Sequence, residues 1–155
     1  MVVICDKTYE NSEMIEHFSK FSFELSDFQK YAIEGIVKSQ HVLITAHTGS
    51  GKTLPAEFAI EYFHNLKKKI IYTSPIKALS NQKFYEFTQK FPNISFGILT
   101  GDIKFNPEAD VLIMTTEILR NTLFNKKIND TNKSSTGEAS KNITLHFEMD
   151  IDKEL

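Results

Sequence analysis

The sequence predicts an α/β fold with a mainly parallel sheet flanked by helices. Short apolar runs alternate with longer helical patterns between about residues 26 and 124. The runs at 41–45, 70–73 and 110–115 are nearly continuous in apolar residues, which is typical of parallel strands buried on both faces. A chain of 155 residues has the length of one ordinary domain and can bury a real core.

The first half of the chain predicts helix, strand, glycine-rich turn and helix. Residues 26–38 repeat apolar side chains every three or four positions, and Ser26 is a suitable N-cap. A strand is expected at 41–45. Two glycines then interrupt the pattern, and a second helix is expected at 52–66. Residues 1–20 have no clear period, so we expect an N-terminal extension there and a single domain over 21–155.

The second half repeats the alternation and then changes in composition. The predicted elements are strands at 70–73, 94–99 and 110–115 and helices at 76–91 and 116–124. Residues 125–142 contain one isoleucine and no aromatic residue, which predicts a flexible inserted loop. Residues 143–151 alternate apolar and polar side chains, the period of a half-buried strand.

Composition excludes several classes of protein. The net charge is −2, so any nucleic-acid site must be a local patch. A single cysteine, Cys5, rules out an internal disulfide framework and a cysteine-rich zinc site. There is no apolar run long enough to span a membrane and no leader-like start, so we expect an intracellular protein without a membrane partner.

The clearest motif is Ala-His-Thr-Gly-Ser-Gly-Lys-Thr at 46–53, between an apolar run and a helix. Glycines at 49 and 51 let backbone N–H groups converge on a phosphate at the helix N-terminus. Lys52 can reach the β- and γ-phosphates, and the Thr53 hydroxyl can bind Mg²⁺. Ala46 replaces the usual first glycine. The alternative interpretation is a chance turn with a surface lysine.

Candidate ligand-contacting residues lie at the ends of three of the predicted strands, where α/β sheets form ligand crevices. Pro75 and Lys77 follow the first, Gly101 and Asp102 the second, and Thr115 and Thr116 the third. Arg120 is the only arginine beside 17 lysines, and its planar fork suits a phosphate or a carboxylate. Arg120 could form either an ion pair within the fold or a contact with RNA.

Two residues upstream of the glycine motif suit a nucleobase. A glutamine amide such as that of Gln29 can pair with N6 and N7 of adenine, and an aromatic ring such as that of Phe23 can stack on the base. Considered alone, Gln29 is as readily an ordinary surface residue and Phe23 an ordinary core residue.

These residues together resemble a known family. The sequence from about 23 to 123 is similar to the first RecA-like domain of superfamily 2 helicases, and most similar to DExH RNA helicases of the superkiller and exosome-cofactor type. Four segments carry the resemblance: FELSDFQ at 23–29, YTSPIKALSNQK at 72–83, LTGD at 99–102 and TTEILR at 115–120.

The resemblance implies roles for particular residues. Phe23 would stack on adenine and Gln29 would read it. The segment Thr48, Gly49, Ser50, Gly51, Lys52 and Thr53 would hold ATP and Mg²⁺, with Lys52 and Thr53 as the candidate catalytic residues. The RNA track would contain Pro75, Lys77, Gly101, Asp102, Thr115 and Thr116. Arg120 is a further candidate RNA contact, on the chemistry of its side chain. An RNA-decay complex is the kind of partner that this family suggests.

The sequence also departs from the family. Gly-Ser-Gly stands in the glycine motif where close relatives often have Ser-Ala-Gly, and no Asp-Glu-x-His motif occurs. That motif orients Mg²⁺ and the attacking water. We therefore expect the N-terminal part of a larger helicase, with an incomplete sheet and with no ATP hydrolysis by this chain alone.

Three other functions share some of these sequence features. A superfamily 2 DNA helicase shares the same phosphate-tracking motifs, and only selectivity for the 2′-hydroxyl separates it from an RNA helicase. A non-catalytic nucleotide- or RNA-binding module would fit the missing acidic motif. A small-molecule kinase is disfavoured by the TTEILR segment and by the strand predicted at 143–151.

Overall fold

The computed structural model describes residues 2–130 and 143–146, with the side chains of residues 2–124. The chain forms two compact units, which meet between Tyr62 and Phe63 in the sequence. The first contains the glycine motif and the second contains the sheet. No helix of the described residues is long and apolar enough to cross a membrane.

The first unit is built on helices. They are α1 (Ile15–Phe18), α2 (Asp27–Val37) and most of α3 (Thr53–Asn65). Helix α2 begins one residue after Ser26, as the sequence predicts, and a capping box closes its first turn. Its buried apolar side chains, Ala32, Ile33 and Ile36, follow the helical period.

An N-terminal strap (residues 7–11) is fastened along α2. The Tyr9 N–H donates to Asp27 Oδ1 at 3.0 Å, and Asn11 Nδ2 donates to Glu34 Oε1 at 3.1 Å. The Tyr9 ring meets Phe18 and Tyr31 edge to face, with centroids 5.4 and 4.9 Å away. This part of the expected extension is therefore packed on α2 of the motif-bearing unit.

The second unit is a five-stranded sheet with two helices. Its strands are β1 (Ile70–Ser74), β2 (Phe96–Leu99), β3 (Lys104–Phe105), β4 (Val111–Thr115) and β5 (Ile143–His146), in the order β3-β2-β4-β1-β5. Among the strand pairs in the described part of the chain, only β2–β3 is antiparallel. Helices α4 (Lys77–Lys90) and α5 (Thr116–Asp130) contact the sheet. The predicted α/β class with a mainly parallel sheet is confirmed.

The core of this unit comes from the apolar runs that predict the strands. Ile70, Val111 and Ile113 are fully buried, and Phe87 of α4 packs edge to face on Tyr72 at 5.2 Å. Strands buried on both faces have no polar face to alternate with, which explains the continuous apolar runs.

The strand predicted at 41–45 is not formed. The backbone of these residues pairs with no strand in the described part of the chain, and Leu43 is 90% exposed. An apolar run becomes a strand only when a neighbour supplies hydrogen bonds, and sequence period cannot reveal whether that neighbour exists.

The helix predicted at 116–124 continues to Asp130, into the segment predicted as a flexible loop. Propagating an existing helix costs much less than nucleating one, so polar residues with adequate propensity extend it. Residues 131–142, and residues 147–151 of the predicted last strand, lie outside the described part. The two-residue strand β3 was not predicted.

Candidate nucleotide and nucleic-acid sites

The glycine motif forms a tight loop directly before α3. Gly49 and Gly51 have φ values of +80° and +86°, a region that favours glycine, and Thr53 is the first residue of the helix. The backbone thus has the turn-then-helix form required for anion binding at a helix N-terminus. A chance turn with a surface lysine, the alternative interpretation, does not explain why this loop leads directly into the N-terminus of α3.

Polar groups inside the loop suit a phosphate. The Lys52 ammonium donates to the carbonyl of Ala46 at the other end of the loop, so it lies across the concave side. The Ser50 hydroxyl is buried and has no hydrogen-bond partner among the described residues. A buried hydroxyl without a partner is costly, and a phosphate oxygen would satisfy it. Thr53 lies beside them as the first residue of α3.

Gln29 connects α2 to this loop and is not a surface residue. Its side chain is buried, its Oε1 accepts the Ser26 N–H at 3.0 Å, and its Nε2 donates to the Gly51 carbonyl at 3.1 Å. The primary amide retains a second N–H and a further lone pair. Those are the groups that an adenine edge would use, as the resemblance expects.

Phe23 does not belong to the core. It is 55% exposed, and its nearest ring neighbour is Phe21 with a centroid 5.8 Å away. The ordinary core interpretation of Phe23 is therefore wrong. An exposed ring is free to stack on a base.

The predicted nucleic-acid residues of the second unit meet at one edge of the sheet. Strands β1, β4 and β2 are neighbours and run parallel, with Ser74 opposite Thr115 and Leu99 opposite Met114. Their carboxyl ends therefore bring Pro75, Gly101 with Asp102, and Thr115 with Thr116 to one edge, as parallel topology requires. Of these five residues, Thr115 is half-buried and the other four are exposed.

An ion pair crosses this edge. The Lys77 ammonium contacts Asp102 Oδ2, and the Thr100 hydroxyl donates to Asp102 Oδ1 at 3.1 Å. The hydrogen bond from Lys77 holds the pKa of Asp102 below its usual value. The carboxylate therefore stays ionised at neutral pH and positions the lysine. No local pattern predicts this pairing, because the two residues are 25 positions apart.

Arg120 lies exposed on α5, with its guanidinium over the Phe124 ring at 5.8 Å from the centroid. It has no carboxylate partner among the residues whose side chains are described. Of the two interpretations left open by the sequence, the ion pair within the fold is not formed there.

No cluster of histidine, cysteine and acidic residues among the described side chains could hold a metal ion by itself. The rings of Tyr85 and Phe105 are exposed, which the sequence does not predict. No sequence signal distinguishes them from core aromatics, because 13 phenylalanines occur in the chain.

Comparison with known proteins agrees with this arrangement. The DEAD/DEAH box helicase model matches residues 26–142. The chain is 52% identical over 102 residues to the antiviral helicase SKI2 of Saccharomyces cerevisiae, covering 66% of this chain and 8% of that protein. It is 48% identical over 105 residues to the human exosome RNA helicase MTR4, covering 68% and 10%. Human superkiller complex protein 2 is 50% identical over 105 residues, covering 68% and 8%.

The chain thus spans about a tenth or less of the length of these relatives. The match nevertheless covers the glycine loop, the strand-end segments and strands β1 to β4 of the sheet. The chain belongs to the DEAD/DEAH box helicase family.

Proposed function

We propose that this chain is the ATP-binding N-terminal part of an ATP-dependent RNA helicase. The observation that carries the proposal is the loop at 46–53, with two left-handed glycines, a lysine across its concave side and a helix behind it. The relatives named as RNA helicases support RNA as the substrate. Coupling of hydrolysis to movement along RNA belongs to the longer protein, because no Asp-Glu-x-His motif occurs in these 155 residues.

ATP would bind through residues of the first unit. Thr48 to Thr53 would hold the phosphates, Phe23 would stack on the adenine, and Gln29 would read its edge. Mg²⁺ would be held by the Thr53 hydroxyl and the phosphates, and would neutralise charge on them. The Ser50 hydroxyl is buried and has no hydrogen-bond partner among the described residues, so it could donate to an oxygen of a bound phosphate.

RNA would bind across the edge formed by the strand ends. Lys77, Arg120, Thr115 and Thr116 would meet phosphates, while Pro75 and Gly101 would permit close approach of the strand. Asp102 would hold Lys77 in place. We also propose an intracellular location and an RNA-decay complex as partner, since two of the relatives are named for the exosome and the superkiller complex.

Nucleotide binding is tested by titrating a fluorescent ATP analogue with MgCl₂ into the purified chain. Lys52→Ala removes a charge-assisted contact and should weaken binding by about tenfold or more. Lys20→Ala, at an exposed lysine of the same unit, is the matched control and should bind normally. Equal binding by both variants would disprove the phosphate site.

RNA binding is tested by fluorescence anisotropy with a labelled single-stranded oligonucleotide. Lys77→Ala should weaken binding and make it less sensitive to salt. The control is Lys69→Ala, one residue before the opposite end of β1. Similar losses for both would show that binding is only a charge effect. A DNA oligonucleotide of equal sequence separates the alternative of a DNA helicase, because only RNA presents the 2′-hydroxyl.

A further inference from the structure

We propose that an aromatic platform (Phe84, Tyr85 and Phe105) of the second unit is a stacking site for the bases of single-stranded RNA. The proposal rests on the proposed function and extends it, because none of the three residues belongs to the motifs discussed above as RNA contacts. The platform would bind the bases of the RNA, whereas the strand-end edge would bind only its phosphate backbone.

The platform is continuous and open to solvent. Phe84 of α4 meets Phe105 of β3 edge to face at 5.9 Å and Tyr85 at 6.1 Å. Phe105 is 57% exposed and Tyr85 is 69% exposed. Phe84 is half-buried and joins the two outer rings. Exposed rings of this kind carry an energetic cost that a ligand with a π-face would offset.

The platform lies beside the predicted phosphate contacts. Phe105 follows Asp102 by three residues, and Asp102 pairs with Lys77 at the start of α4. Phe84 stands two turns further along the same helix, about 10 Å at the usual rise per residue. One short single strand can therefore touch the strand-end edge with its backbone and the platform with its bases.

Local charge favours a polyanion. The three carboxylates nearest in sequence to the platform are each paired with a lysine: Asp102 with Lys77, Glu86 with Lys83, and Glu108 with Lys69. Lys104 is exposed and has no carboxylate partner among the described side chains. The uncompensated charge next to the rings is thus positive, the combination typical of single-strand binding surfaces.

A protein partner fits less well. The rings lie next to β3 at the edge of the sheet, and an open edge can accept a strand from another chain. However, β3 has only two residues, which offers few backbone hydrogen bonds to an added strand. We therefore place RNA on this surface and leave protein docking as the outcome that would overturn the proposal.

The main experiment measures anisotropy of labelled oligouridine of about 20 nucleotides with the complete 155-residue chain. Tyr85→Ala and Phe105→Ala should each weaken binding by about tenfold while leaving the salt dependence unchanged, because stacking is uncharged. Tyr85→Phe should bind normally. An abasic oligonucleotide of equal length should bind all of these variants alike. Leu66→Ala, 49% exposed and before β1, is the control.

A second readout follows stacking directly. The chain has no tryptophan, so Phe105→Trp introduces a single reporter on the platform. Oligouridine should quench its fluorescence with the affinity seen by anisotropy, whereas a reporter at Leu66→Trp should remain unquenched. This variant also keeps an aromatic side chain at 105, which guards against a result caused by loss of folding.

The outcomes are distinguishable. If Lys77→Ala weakens RNA binding but the alanine variants of the platform do not, the platform is refuted and the proposed function stands. Self-association of the wild-type chain that Phe105→Ala abolishes, without an effect on RNA, would assign the surface to protein docking. If the wild-type chain binds no RNA at all, both proposals fall.

Discussion

Gln29 shows how one side chain can serve both folding and ligand binding. It caps α2 through its Oε1 and supports the glycine loop through its Nε2. Gln29→Ala should lower the free energy of unfolding by about 1–3 kcal/mol, because two buried hydrogen bonds are lost. Urea unfolding measures this change.

Gln29→Glu keeps the cap on α2 and removes the contact with Gly51. A carboxylate still accepts the Ser26 N–H in the first turn of α2, where the helix dipole favours negative charge. It cannot donate to the Gly51 carbonyl, so the loop loses its support. Because a buried carboxylate oxygen would face the Gly51 carbonyl without a donor between them, we expect a loss of unfolding free energy together with clearly weaker binding of the ATP analogue. If binding of the analogue survives in Gln29→Glu, the contact with Gly51 has no role in the site.

Alanine substitutions of the two loop glycines can be compared directly. Both have positive φ, so alanine should cost about 1–2 kcal/mol at either position. A Cβ at Gly51 would also lie 2.6 Å from Gln29 Nε2, whereas one at Gly49 would meet nothing within 4 Å. Gly51→Ala should therefore destabilise the chain more than Gly49→Ala in the same urea experiment. Equal effects would mean that Gln29 moves aside freely.

Among the larger elements, the N-terminal strap has the most direct consequence for the site. It holds α2 through the Tyr9 ring and the Asp27 carboxylate, and α2 carries Gln29. Tyr9→Ala should cost about 2 kcal/mol of unfolding free energy, because two edge-to-face contacts disappear. Tyr85→Ala, at an exposed ring, should stay within about 0.5 kcal/mol. A Tyr9→Ala variant as stable as wild type would show that the contacts between the strap and α2 do not stabilise the fold.

Helix α4 and the β2–β3 hairpin illustrate a different kind of coupling. The helix pattern and the strand pattern are each visible locally, yet the pairing of Lys77 with Asp102 and of Phe84 with Phe105 depends on how they pack. This packing turns two ordinary segments into a continuous surface at one side of the sheet.

The whole molecule should lose stability in acid through its lysine-paired carboxylates. Hydrogen bonds from Lys38, Lys83 and Lys77 lower the pKa values of Glu34, Glu86 and Asp102, respectively. A lowered pKa contributes stability that is present above the unfolded-state pKa and is lost as the pH falls through the folded-state pKa.

The contribution of these three groups should therefore be constant near neutral pH and should decline below about pH 4.5. Urea unfolding from pH 7 to pH 3 measures it, and Glu34→Gln should reduce the slope below pH 4.5. High salt should weaken the same contribution, since these pairs are at least partly exposed. A stability curve that falls equally in wild type and Glu34→Gln would contradict this assignment.

The sequence by itself determined the alternating α/β pattern, the glycine loop with Lys52 and Thr53, and the three strand-end segments. These features are local, because strand runs, helical periods and glycine turns depend on residues close together in the chain. Parallel topology then placed the strand-end residues on one edge, as expected.

Only the tertiary structure decided the rest. It buried Gln29 against Gly51, paired Lys77 with Asp102, exposed Phe23 and Phe105, and left residues 41–45 without a strand partner. The physical reason is the same in each case. Burial, ion pairing and strand pairing depend on which distant residue lies nearby, and the local pattern of a sequence does not contain that information.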